Sequence, residues 1–251
     1  MECLLAALVE GSMASAHARA GAFALIVASV AGIAWTVLEL VQPSLGFEDT
    51  DSPAVTLKFL ASHADVWVNA SLVLLLLAGS LLVATFAVSD VLAQRSSRLT
   101  MRSISAAGAF AAACFFMFGT LRASAHPLLY IEGLDRAWGE SAFLVIQMVG
   151  IHGFAQAGIL AFCLWAVGVS AAGLRSGALP RAVCLLGVIP AIRVVLLVLG
   201  PTGAIEMLPD GLWVVAMIAI PGTFLWSLIL GLVLIRRSFG AGQVRTDEVI
   251  A

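Results

Sequence analysis

Apolar residues are gathered into six long runs separated by short polar stretches. The runs cover Ala20–Val41, Val66–Val88, Ile104–Leu121, Ala142–Val169, Ala182–Leu199 and Gly211–Ile235. A bilayer core takes about 20 consecutive helical residues to cross, so each run predicts one transmembrane helix. The fourth is long enough to tilt or to project beyond the membrane. The third and fifth are the shortest. The predicted fold is all-α: a polytopic bundle of six transmembrane helices over 20–237, with an arm at 1–19 and a tail at 238–251.

Basic residues decide the orientation. Arg19, Arg95, Arg98, Arg102, Arg175, Arg181, Arg236, Arg237 and Arg245 all fall on one side of the predicted membrane. The other side holds Lys58, Arg122 and Arg136 among a larger number of carboxylates, from Glu48 to Asp210. Both termini are therefore expected in the cytoplasm. Trp67, Tyr130, Trp138 and Trp213 fall near the outer helix ends, where amphipathic rings are expected at the headgroup level. The arm begins Met1-Glu-Cys-Leu-Leu without a positive n-region, unlike a signal peptide. It reads either as a short interfacial helix or as sequence upstream of a start at Met13.

Composition agrees with a membrane protein. Hydrophobic residues make up 61% of the 251 positions and charged residues 11%, more apolar surface than a soluble fold could hide. A net charge of -2 and the lack of a basic, aromatic-laced stripe argue against nucleic acid as a partner. The expected surroundings are the lipid bilayer, with another membrane protein, an anionic lipid or a small molecule as further partners. Cys3, Cys114, Cys163 and Cys184 show neither a CxxC nor a zinc spacing. They read as small packing residues.

Few residues suggest chemistry. Arg193 lies inside the fifth run, about 10 Å below its outer end at about 1.5 Å per residue. A charge at that depth is costly, so Arg193 either snorkels and holds the bundle or binds an anion. Glu39, near the outer end of the first run, is its expected partner, unless it sits at the headgroups and needs none. Pro190 should kink the fifth helix and free the Leu186 carbonyl, and Pro221 should do the same to Met217. In the fourth helix His152 and Gln156 share a face, while Gln147 falls on another. Gly153, Ala157 and Ala161 form a row of small residues suited to close helix approach. His152 reads as an interhelical hydrogen-bonding residue or as a proton relay.

His63, Asp65, His126 and Glu132 are weak candidates for a metal site should the outer loops meet. Their spacing does not require one, and no cofactor is expected. The single Lys58 lies outside the six runs, which excludes a retinal Schiff base.

Two segments carry a family resemblance: Arg19-Ala-Gly-Ala-Phe-Ala-Leu-Ile-Val-Ala-Ser-Val-Ala-Gly32, and Leu174-Arg-Ser-Gly-Ala-Leu-Pro-Arg181 followed by Ala-Val-Cys-Leu-Leu-Gly187. In these the chain resembles a bacterial family of six-pass membrane proteins catalogued as a domain of unknown function. The resemblance implies a bundle in the bacterial plasma (inner) membrane and supplies no catalytic residue. The expected function is a non-enzymatic subunit or accessory of a membrane complex. The alternatives are a small transporter or lipid-binding permease with an outer-half polar site around Arg193, and, third, a membrane-embedded enzyme.

Overall fold

The computed structural model describes residues 2–42, 53–93, 96–125, 136–199 and 218–237, with side chains from Ala16 in the first segment and from Trp138 in the fourth. Among these residues there is no strand. The helices are α1 (Glu2–Val41), α2 (Pro53–Ser62), α3 (Ala64–Ala93), α4 (Arg98–Ala125), α5 (Arg136–Gln147), a π-helical segment (Met148–Ala155), α6 (Gln156–Ser176), α7 (Arg181–Leu185) and α8 (Val188–Leu199). A last helix, α9, spans Ile218–Arg237.

Six helical stretches are long and apolar enough to cross a membrane: Ala16–Val41, Ala64–Ala93, Arg98–Ala125, Trp138–Ser176, Arg181–Leu199 and Ile218–Arg237. The chain is an all-α helical bundle, as its apolar runs predict. In lipid every backbone polar group must be satisfied within the protein, and a helix does this alone. The ends of the helices carry the corrections. Residues 2–19, for which a short interfacial helix is one of two readings, are helical and run into the first span without a break. The third span is longer than expected at both ends. Ser97 Oγ accepts the Thr100 N–H at 3.2 Å and starts α4 at Arg98, and α4 then runs past Leu121 to Ala125. The tail at 238–251, the 211–217 part of the sixth run, Met217, Tyr130 and Trp213 lie outside the described residues.

The fifth span is broken, but not as its proline predicts. The break falls at Leu186–Gly187, and the Leu186 carbonyl is not left free: it accepts the Ile189 N–H at 3.1 Å. Pro190 sits in the first turn of α8, where a missing N–H matters least. Gly187 lets the broken stretch pack closely on α6, because a Cβ there would lie 2.3 Å from Ser170 Oγ. At the end of α6, Gly177 takes the left-handed conformation that closes a helix (φ 64°).

Packing runs in chain order, α1 on α3, α3 on α4, α4 on α6 and α6 on α8. α9 closes the bundle against α1 and α6. Ser29 and Ser227 hydroxyls meet at 2.7 Å, and the Phe162 and Phe224 rings stack at 5.3 Å. Helices in lipid gain little from the hydrophobic effect and associate through close packing and interhelical hydrogen bonds. Accordingly a Cβ on Gly21 of α1 would sit 1.9 Å from Ala87 Cβ of α3. The Gly153–Ala157–Ala161 row does not play this part throughout: Gly153 is exposed with nothing near it, and Gly158 makes the approach to Cys114 instead. Aromatic rings fill the centre, Trp35, Phe115, Phe118, Phe162, Trp165, Phe224 and Trp226 touching in series.

Arg98, Arg175, Arg181 and Arg237 lie at one end of the bundle, where the Arg237 guanidinium binds the Ala178 carbonyl. At the far end, α2 and α5 pack together and, with the ends of α3 and α4, form a small second core of Leu60, Trp67, Ala125 and Phe143, with Leu57 and Ile146 against it.

Candidate polar site at the far end of the bundle

Between the main core and this second core sits Arg122, in the last turn of α4. Its side chain is 4% exposed. Trp67 of α3 holds it twice: the guanidinium lies 4.0 Å from the ring centroid, and the indole N–H donates to the Arg122 carbonyl at 2.8 Å. A cation over an indole face is favourable, the more so when desolvated. Phe143 of α5 backs Trp67, ring to ring at 6.1 Å. Trp67 is therefore buried and structural, not a headgroup anchor, whereas Trp138 is exposed as an anchor would be.

The counter-charge comes from α1. Arg122 Nη1 donates to Glu39 Oε1 at 2.5 Å. Trp35 Nε1 donates to the same oxygen at 2.9 Å, and Gln42 Nε2 to Oε2 at 2.9 Å. The spacing of Trp35, Glu39 and Gln42 puts all three on one face of a helix. Glu39 thus has a partner, and that partner is Arg122, not Arg193. Sequence reading missed Arg122 because the third run seemed to stop at Leu121. The available signal was the absence of a helix breaker before Pro127.

Arg122 Nε and Nη2 are buried and take no hydrogen-bond partner among the described residues. Beside them is a recess of about 10 Å³ lined by Arg122, Trp67, Phe118, Phe143, Ile146, Gln147 and Ile151, room for about one water. Gln147, which the sequence placed on an irrelevant face, is thus the polar side chain of its helix that reaches the site. The π-helical segment supplies the Ile151 wall. Gly150 brings this segment close to Phe118, to which a Cβ would come within 3.2 Å.

The other expected residues are elsewhere. Arg193 is half-buried on α8, with its Nε enclosed and unpartnered among the described residues. It lies within electrostatic reach of Cys163, whose Sγ is 4.0 Å from Thr223 Oγ1. His152 and Gln156 do share a face, but it is exposed, and no interhelical hydrogen bond of His152 is seen among the described residues. His63 bonds Ser62 Oγ through Nδ1 at 2.9 Å and stacks on Phe59. Asp65 is exposed in the first turn of α3. His126 and Glu132 lie outside the described residues, and among the described ones no three His, Cys, Asp or Glu side chains are placed to hold a metal. Cys114, Cys163 and Cys184 are free and buried.

Comparison with family models, curated proteins and solved structures finds no match for this chain.

Proposed function

We propose that this chain is a non-enzymatic subunit or accessory of a membrane complex, in a bacterial plasma membrane with both termini cytoplasmic. One observation carries the reading. A lateral groove of about 270 Å³ runs between α3 and α4 in mid-span, lined by Ala78, Gly79, Ala109, Ala112, Ala113 and Phe116 among others. Ala109 and Ala113 are four apart on α4, and a Cβ on Gly79 would meet nothing within 4 Å. Small residues in such a row let a second helix backbone come close, the main source of helix affinity in lipid. The occupant that fits is a transmembrane helix of a partner protein. The aromatic interior of the bundle favours this role over transport through its centre.

A photo-crosslinking residue at Ala113, used in native membranes, should give one discrete protein adduct. Gly79→Leu should abolish that adduct while the protein still folds, since the added side chain enters open space. An adduct to lipid alone, or to a second copy of the chain, would overturn the accessory reading.

A further inference from the structure

We infer that the Arg122 recess is an oxyanion-binding site for the carboxylate or phosphate of an amphipathic molecule. This inference is independent of the α3/α4 groove. A guanidinium has five N–H donors and no acceptor. Glu39 takes up Nη1, and Trp67 covers one face of the plane. The Nε–H and the neighbouring Nη2–H stand side by side on one edge, and neither has a hydrogen-bond partner among the described residues. That edge is the fork that pairs two N–H groups with the two oxygens of a carboxylate or phosphate.

Burying charged donors without acceptors is among the costlier arrangements a protein can hold, and here Arg122 is one of the residues that line the recess. The walls are Trp67, Phe118, Phe143, Ile146 and Ile151, with Gln147 as the further polar residue of the lining. An oxygen bound to the fork would be shielded from water on the apolar sides, which strengthens the contact. A ligand must bring an apolar body to match those walls, so the class is an anion with a hydrocarbon or aromatic portion. At about 10 Å³ the recess admits one oxygen-sized group as it stands. The rest of a ligand enters by displacing the wall formed by Gln147 and the π-helical segment, a geometry that often marks functional positions in helices. Glu39 need not leave, since it uses a different nitrogen.

The test measures thermal protection and equilibrium binding of the detergent-solubilised full chain, with decanoate, phosphatidic acid in nanodiscs, inorganic phosphate, and decanol as the uncharged control. Saturable protection by decanoate or phosphatidic acid alone supports the site with a membrane-borne ligand. Protection by inorganic phosphate supports it with a soluble one. Arg122→Lys keeps the charge opposite Glu39 but lacks the fork, and should bind about tenfold more weakly. Should that variant not fold, Ile151→Phe crowds the recess and leaves Arg122 intact, and it should lose binding while still folding, with a lowered melting temperature. Protection by none of the three anions, equal protection by decanol, or unchanged binding in a folded variant of either kind would overturn the inference.

Discussion

Arg122 and Glu39 share one ion pair but not one environment, their side chains being 4% and 35% exposed. Removing one partner of a buried pair leaves the other uncompensated, and that residual charge is what destabilises. Glu39→Ala strands a guanidinium with nowhere to go, whereas Arg122→Met leaves a carboxylate that reaches water and still accepts from Trp35 and Gln42. Glu39→Ala should therefore be the more damaging change, by an amount on the order of 3 kcal/mol. The double variant should recover much of that loss. Thermal unfolding of the three proteins in one detergent checks the order, and a milder effect of Glu39→Ala than of Arg122→Met would contradict the assignment. The sequence made Glu39 conspicuous, as a charge in an apolar run. It pointed to the wrong partner, because Arg193 lay inside an apolar run while the third run seemed to stop short of Arg122, and only the packing of the helices brings Glu39 to Arg122.

At the level of the element, a helix break in a membrane span needs a cause, and proline is the usual one. Here α7 and α8 part at Leu186–Gly187, where Gly187 passes close to Ser170. Gly187→Ala should drive a Cβ into Ser170 and the Cys184 carbonyl and destabilise by about 1–3 kcal/mol. Gly153→Ala on the open side of the π-helical segment should be neutral or slightly stabilising. Pro190→Ala should destabilise by less than about 1 kcal/mol, since the carbonyl it was expected to free is already bonded to Ile189. Melting temperatures of the three variants decide the matter: a larger loss for Pro190→Ala than for Gly187→Ala would return the break to the proline. Pro190 was readable because a proline's missing N–H is a local fact. Gly187 was not, because its necessity comes from Ser170 on another helix.

For the whole molecule, nine basic residues on one side predict a single orientation. Reporters fused after Ala251 and within Glu48–Asp51 should report opposite compartments, with the C-terminal one cytoplasmic. An external C-terminus would overturn it. No transition metal is expected to support the fold, so chelator treatment should leave the melting temperature unchanged, and a stoichiometric metal held by His63 would refute that. By itself the sequence determined that the chain is an all-α bundle, how many helices can span, and roughly where they lie. Those properties follow from the length and apolar content of each run, and lipid leaves a backbone in such a run little choice but a helix. Tertiary structure alone decided that Trp67 is covered instead of anchoring at a headgroup, that Gln147 faces the site while His152 and Gln156 do not, and that Glu39 meets Arg122. Each of these depends on the rotation of one helix relative to its neighbours. In lipid that rotation is set by side-chain packing at the helix contacts, not by a hydrophobic face that a sequence displays.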